Sequence, residues 1–240
     1  IKGIDTRERF QMPDSQNIAK QNAAVAGANM VVHGMAVGLG SGSTAELLVE
    51  ELGRRVIQDR LEITAVSTSV RTSQLASLAG IHVVDPAQVK RLDLVIDGAD
   101  EVDPEYRMIK GRGGALLREK IVAAAGLKRV ILVDQTKPVA RLGTRHALPV
   151  EIAAFGQHWT ISRLAGLAHK VSLRCTSSGD PFITDGGNRI VDLQTGPIEN
   201  PEALQAALLA IPGVFETGLF IGLCDVLIVA DASGVEIRNR

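Results

Sequence analysis

Aromatic residues are scarce in this chain: one Trp, one Tyr and five Phe, 3% of 240 residues. Proteins that stack single-stranded bases rely on such rings, and binders of a duplex backbone rely on a basic excess. Here 26 Lys and Arg face 27 Asp and Glu, interspersed, for a net charge of −1. Nucleic acid is therefore set aside as a partner. Cysteine is scarce too. Cys175 and Cys224 are far apart in apolar-leaning segments and are expected to be reduced thiols, at least one of them simply buried. Long hydrophobic runs are missing as well. Residues 23–40 carry no formal charge, but Asn29, His33 and glycines 27, 34, 38 and 40 interrupt them. That pattern suits a buried helix followed by a strand, not a membrane span. These absences lead to the expectation of a soluble, cytoplasmic protein. The chain begins at Ile1 rather than Met, which leaves room for an upstream targeting segment.

What is present is enough apolar material for a core. The composition is 45% hydrophobic, which at this length suits one large domain or a domain with a smaller insert. From residue 15 to 134 helical and strand patterns alternate. "QNIAKQNAAVAGANMV", "TAELLVEELGRRV" and "GALLREKIVAAAG" have helical spacing, the last stopping at Gly126. "MAVGLG", "ITAVST", "IHVVD", "LDLVIDGA" and "RVILVD" are continuous apolar runs, the mark of parallel strands buried on both faces. The class is α/β, doubly wound.

After "LPVEIAAF" the character changes. A helix near 157–168, "KVSLRCT", the turn "TDGGN", "RIVDL", a helix after "ENP" and a strand in "GVFETGLF" suggest a small α+β insert. "DVLIVAD" then returns to the first sheet. Residues 1–148 and 218–240 are expected to form a Rossmann-like, mostly parallel unit, and residues 149–217 a smaller, ferredoxin-like one.

In open α/β sheets ligands sit at the carboxyl ends of strands, and three loops lie at such ends. "GLGSGST" (38–44) places glycines, Ser43 and Thr44 at a helix N-terminus. It suits either an anion site or an ordinary turn capped by Ser43 or Thr44. It is not a dinucleotide fingerprint, because Ser43 stands where the third glycine belongs, and it lacks the P-loop lysine. "DGADEVD" lets Asp97 and Asp100 lean over one pocket; the alternatives are a turn whose Asp side chains bond their own backbone, or a hard-cation site. The five histidines (33, 82, 146, 158 and 169) show no ligand spacing. "KGRGGALLREK" joins Lys110 to a glycine turn and then to Glu119, flanked by Arg118 and Lys120. Read alone, that triplet is a solvated helix face.

Taken together, "VGLGSGSTA", "DGADEVD", "IKGRGGALLREKI", "VDQTKPV", "LPVEI", "TDGGN" and "IPGVFETGLF" run in one order from about Lys20 to Glu236. In these segments the sequence resembles ribose-5-phosphate isomerase of the A type. The resemblance implies reversible conversion of D-ribose 5-phosphate to D-ribulose 5-phosphate, with Glu119 as proton-transfer base. The chemistry of such a conversion adds Lys110, as the positive partner of an enediolate oxygen, and Asp97 or Asp100, for opening the furanose ring, as further catalytic groups. The implied substrate-binding residues are Ser41, Gly42, Ser43, Thr44, Asp97, Gly98, Ala99, Asp100, Lys110, Gly111, Arg112, Gly113 and Lys137. A homodimer or homotetramer is implied, with a small sugar phosphate as partner and with no cofactor, metal or membrane. One departure stands out. The family often has glycine where this chain has Arg112, and a positive φ there would strain an arginine. Two other classes share this neighbourhood: a non-catalytic sugar-phosphate-sensing domain, and coenzyme A transferases, whose glutamate sits in a different motif. A third option is a metal-dependent isomerase that shifts a hydride.

Overall fold

The structure, a computed structural model, describes residues 14–240; residues 1–13 of the expected larger unit lie outside that range. In the first half, α1 (Asp14–Ala28), β1 (Ala36–Leu39), α2 (Ser43–Gln58), β2 (Thr64–Ser67), α3 (Val70–Leu78) and β3 (His82–Val83) alternate. Then come β4 (Leu94–Gly98), two short strands β5 (Glu101–Val102) and β6 (Met108–Ile109), α4 (Leu116–Ala125) and β7 (Arg129–Asp134). The remainder is β8 (Leu148–Ile152), α5 (Gln157–Leu164), β9 (Lys170–Leu173), β10 (Arg189–Gln194), α6 (Pro201–Leu209), β11 (Val214–Thr217), β12 (Leu219–Phe220), β13 (Val226–Ala230) and β14 (Val235–Asn239).

The apolar runs assemble a seven-stranded sheet in the order β14-β13-β7-β4-β1-β2-β3. All its pairings are parallel except β13 with β14. The six parallel strands thus follow the doubly wound order, which reverses between β1 and β4 and opens a crevice at their carboxyl ends. Val37, Leu39, Ile96, Leu132 and Ile228 are buried in the sheet's core, and α2 packs on it with Ala45, Leu48, Val49 and Leu52.

Besides the short strands β5 and β6, two elements have no counterpart in the sequence pattern. α3 buries only Thr72 and Ala76, so it shows no bulky apolar stripe; Ser69 caps it by accepting from Thr72 N. β14 is an edge strand with Val235 and Ile237 exposed, so no apolar run announces it.

The smaller unit follows the order β8-α5-β9-β10-α6-β11, and its antiparallel sheet is ordered β11-β8-β10-β9. That is the split β-α-β arrangement of ferredoxin-like folds, with Leu148, Val150, Ile152, Leu164, Val191, Leu193 and Leu208 inside. The single strand expected in "GVFETGLF" breaks at Gly218. β11 pairs with β8, while β12 crosses to β6 in a three-stranded sheet, β12-β6-β5. Both cysteines are free, Cys175 exposed and Cys224 buried. Burial, with Asp225 beside it, pushes the Cys224 thiol up to about 12. Among the described residues no helix is long and apolar enough to cross a membrane.

Candidate active site

The loops after β1 and β4 meet at the point where strand order reverses. Gly40 N donates to Ile96 O at 2.9 Å, which ties the two strand ends together. A Cβ on Gly40 would overlap the Asp97 carboxylate, so glycine is what lets that carboxylate lie against the loop. Asp97 is 4% exposed. Its Oδ1 accepts from Gly98 N at 2.7 Å and Ser41 N at 3.2 Å, and its Oδ2 lies 2.9 Å from Lys110 Nζ.

Lys110 follows β6, and its backbone N donates to Gly218 O at 2.9 Å. The buried ammonium also donates to Gly98 O at 2.5 Å and lies 3.5 Å from Glu119 Oε2. Glu119 Oε1 accepts from Ser41 Oγ at 2.6 Å. Ser41, Asp97, Lys110 and Glu119 therefore form a closed ring.

The solvated-face reading of Glu119 is corrected by the register of α4. Leu116, Glu119, Val122 and Ala123 are its buried residues, so Glu119 occupies a position that packing would give to an apolar side chain. Its neighbours reach the smaller unit instead. Lys120 Nζ donates to Glu216 Oε1 and Thr217 O, each at 2.7 Å, and Arg118 Nη2 donates to Asp185 O at 2.8 Å.

Two buried carboxylates share one ammonium, and this fixes the electrostatics. Burial pushes Glu119 up to about 7; Lys110 opposes that rise and Asp97 reinforces it. Lys110 is raised although burial pulls it down, because Asp97 and Glu119 outweigh desolvation. The ammonium stays charged while Glu119 titrates near neutrality. Glu119 Oε2 is buried and accepts no hydrogen bond among the described residues.

On the other side of the β1 loop the cap expectation is corrected. Gly42, with φ 92°, is the N-cap of α2, and no side chain caps the helix. The Ser43 Oγ accepts from Lys20 Nζ at 2.7 Å, and Thr44 lies half-buried in the first turn. Lys20 was not singled out in the sequence. Its signal was the one charge on the face of α1 that buries Ala23 and Ala24, three and four residues on. Burial holds Lys20 below the ordinary lysine value; Asp134 opposes this, while Lys137 and Arg112 add to it. Asp134 is buried beneath these cations and accepts from Thr136 N at 2.8 Å and from Thr136 Oγ1. The N-terminus of α2 thus lies beside the Lys20 ammonium, through Ser43, and a helix N-terminus next to a cation is a place where anions are favoured.

The third loop closes the crevice. Asp100 Oδ2 accepts from Arg112 N at 3.1 Å. The left-handed φ values in this turn belong to Gly111 (103°) and Gly114 (85°), not to Arg112, so the departure at 112 carries no backbone strain. Gly113 is exposed beside it, and Ala99 packs with the apolar cluster of Val102 and Met108. Glu101, one residue beyond Asp100, faces away and is fully buried. It accepts from the N–H groups of Gly143, Arg145 and His146, each at 2.7 Å. Among the described residues no group of three His, Cys, Asp or Glu is arranged to hold a metal ion.

Residues 64–234 match the family model of ribose 5-phosphate isomerase A (phosphoriboisomerase A). The chain belongs to the ribose 5-phosphate isomerase A family. It is 46% identical to ribose-5-phosphate isomerase A of Thermomicrobium roseum over 223 residues, 92% of this chain and 94% of that one. Among solved structures, ribose 5-phosphate isomerase A from Methanocaldococcus jannaschii superposes with a TM-score of 0.88 at 33% identity, covering 93% of this chain and 99% of that chain. A D-ribose-5-phosphate isomerase solved with phospho-erythronic acid gives 0.90 at 33% identity, covering 95% of this chain and 100% of the other.

Proposed function

We propose that this chain interconverts D-ribose 5-phosphate and D-ribulose 5-phosphate through an enediolate, with Glu119 as the base. The observation that carries the proposal is Glu119 itself. It is a buried carboxylate pushed up to about 7, with one oxygen held by Ser41 and the other 3.5 Å from Lys110 Nζ. A base poised near neutrality holds its proton loosely enough to return it.

Once the furanose has opened, the Glu119 carboxylate takes the proton from C2. The C–H electron pair forms the C1–C2 double bond, and the carbonyl electrons move onto O1. Lys110 supplies the positive charge for that oxyanion, in a site from which water is largely excluded. Glu119 then delivers its proton to C1 while the O2 proton leaves and a hydrogen ends on O1, so the ketose has the same atoms as the aldose. Asp97 and Asp100 are the groups for ring opening, which needs an acid and a base at the ring oxygen and anomeric hydroxyl. The phosphate goes to the N-terminus of α2 with Lys20 and Lys137, where Ser43, Thr44 and Gly42 supply N–H and hydroxyl donors. Cytoplasmic location and a homodimeric or homotetrameric state belong to the same reading. A sensing domain without turnover would have no use for a buried, uncapped carboxylate oxygen beside a lysine.

The test is isotopic. Enzyme and ribose 5-phosphate are incubated in deuterated water after exhaustive chelation, and deuterium is read at C1 of ribulose 5-phosphate. Incorporation with undiminished activity is expected, because a proton held on Glu119 exchanges with solvent. No deuterium, together with activity lost on chelation and restored by a divalent metal, would instead assign a hydride shift.

A further inference from the structure

The geometry points to Arg174, contributed by the smaller unit, as the positioning residue that sets Asp100 and the glycine turn at 111–114. This rests on the isomerase reading above and adds a residue to it. Arg174 follows β9, and its backbone is anchored on both sides: its N donates to Ile190 O at 2.8 Å, and its O accepts from Phe182 N at 2.9 Å. The side chain is 16% exposed. Its Nε donates to Asp192 Oδ2 at 2.9 Å and its Nη2 donates to Asp192 Oδ1, so the carboxylate on β10 aims the guanidinium. The remaining nitrogen, Nη1, donates to Gly111 O at 2.9 Å and to Arg112 O at 3.0 Å.

Those two carbonyls matter because of what lies across their peptide groups. In a trans peptide the C=O and N–H point in opposite directions. The group joining Gly111 to Arg112 is held by Arg174 at its carbonyl edge and by Asp100 Oδ2 at its N–H edge, 3.1 Å away. Asp192, Arg174, one peptide plane and Asp100 therefore form a continuous chain from the smaller sheet to the crevice. The same hold on Arg112 O turns the Gly113 N–H to the opposite edge. Gly111, at φ 103°, has no side chain to stiffen this turn, so the clamp supplies what its sequence lacks. Asp100, Arg112, His146, Arg174 and Asp192 also line one cleft of about 240 Å³. Lysine would keep the charge but not the planar fork that reaches two carbonyls and a carboxylate at once.

The experiment is a double-mutant cycle between positions 174 and 100 in the full chain, assayed well below Tm with ribose 5-phosphate. R174Q is expected to lower kcat/KM by about 10–100-fold, mainly in kcat, and R174K to recover little of it. In a D100N background the same R174Q change is expected to cost less than about threefold, because residues acting through one another are not additive. A folded R174Q within threefold of wild type overturns the inference. So does an equal fold-loss in both backgrounds, which would make Arg174 merely structural. If R174Q does not fold, D192N, which leaves the guanidinium unaimed, runs the same cycle with the same criteria. The cycle is also read as Kd for phospho-erythronic acid. Absence of turnover in the wild type would sink the isomerase reading, while the coupling in Kd would still decide the role of Arg174.

Discussion

The two ends of the seven-stranded sheet differ in chemistry more than in room. At the amino ends of the strands lies a cleft of about 390 Å³, lined by His33, Val56, Leu61, Glu62, Ile63 and His82 among others. It is larger than the 240 Å³ cleft beside Asp100, and space alone would favour it. Yet its ion pair, His33 with Glu62 at 3.5 Å, is 66% and 82% exposed. At the carboxyl ends Asp97, Lys110, Glu119 and Asp134 are each 5% exposed or less. Burying charge costs free energy unless partners compensate, so a fold keeps such groups only where they are used or paired. Buried charge that is not fully paired, as at Glu119 Oε2, therefore marks this site better than volume does.

The sharpest test of that comparison is to remove the base without removing its shape. Glu119→Gln keeps the size and the hydrogen bond from Ser41. Turnover is expected to fall by about 10²–10⁴-fold, with Tm and the affinity for phospho-erythronic acid close to wild type. Retention of more than about a tenth of wild-type turnover would contradict the base role.

Lys110→Met breaks the same end by another route. It leaves Asp97 and Glu119 buried without their cation, and uncompensated buried charge of this kind costs about 3–5 kcal/mol. Denaturant unfolding at pH 8 measures it. Lowering the pH should recover part of the loss, because Glu119, no longer held down by Lys110, takes up a proton at a pH above the wild-type value of about 7. A loss that did not change with pH would mean Glu119 was not the source.

Much of this end was legible because its constraints are local. Parallel strands write themselves as apolar runs, and glycine-rich turns after them mark where a backbone must approach closely. "DGAD" and "KGRGG" carried Asp97, Asp100 and Lys110 for that reason. Glu119 was visible as a residue, but its burial depended on which face α4 turns inward, which a charged triplet conceals. Lys20 and Asp134 escaped because a site on a switch point collects single side chains from elements far apart in sequence. Arg174 escaped for the same reason, and its partners are carbonyls, which have no sequence signature. β14 and the two-residue strands left no periodic pattern to find.

A smaller effect reads the electrostatics directly. Glu119 must be ionised to act, so kcat/KM should fall as pH drops through about 7. Stability runs the other way. The folded value lies above the ordinary 4.5, so the buried carboxylate destabilises the fold increasingly as pH rises from there toward 7. Ser41→Ala removes a hydrogen bond that favours the ionised form, so the acid limb should move to higher pH. A limb that stayed in place, or moved down, would show that Ser41 does not hold the charged form.

The smallest expected effect belongs to the larger cleft, and that is its purpose. Glu62→Gln removes the exposed partner of His33, and His82→Asn changes another wall of the same cleft. Exposed ion pairs are screened by solvent and contribute little, and surface substitutions away from special features leave stability nearly unchanged. Both variants should keep kcat and KM within about twofold of wild type, and Tm within about 2 °C. These residues sit at the amino ends of the strands, and Glu119 meets the carboxyl ends, with apolar Val37, Leu39 and Ile96 along the strands between. A tenfold change in kcat in either variant, with Tm unchanged, would break the comparison, because it would couple the spacious end to the charged one.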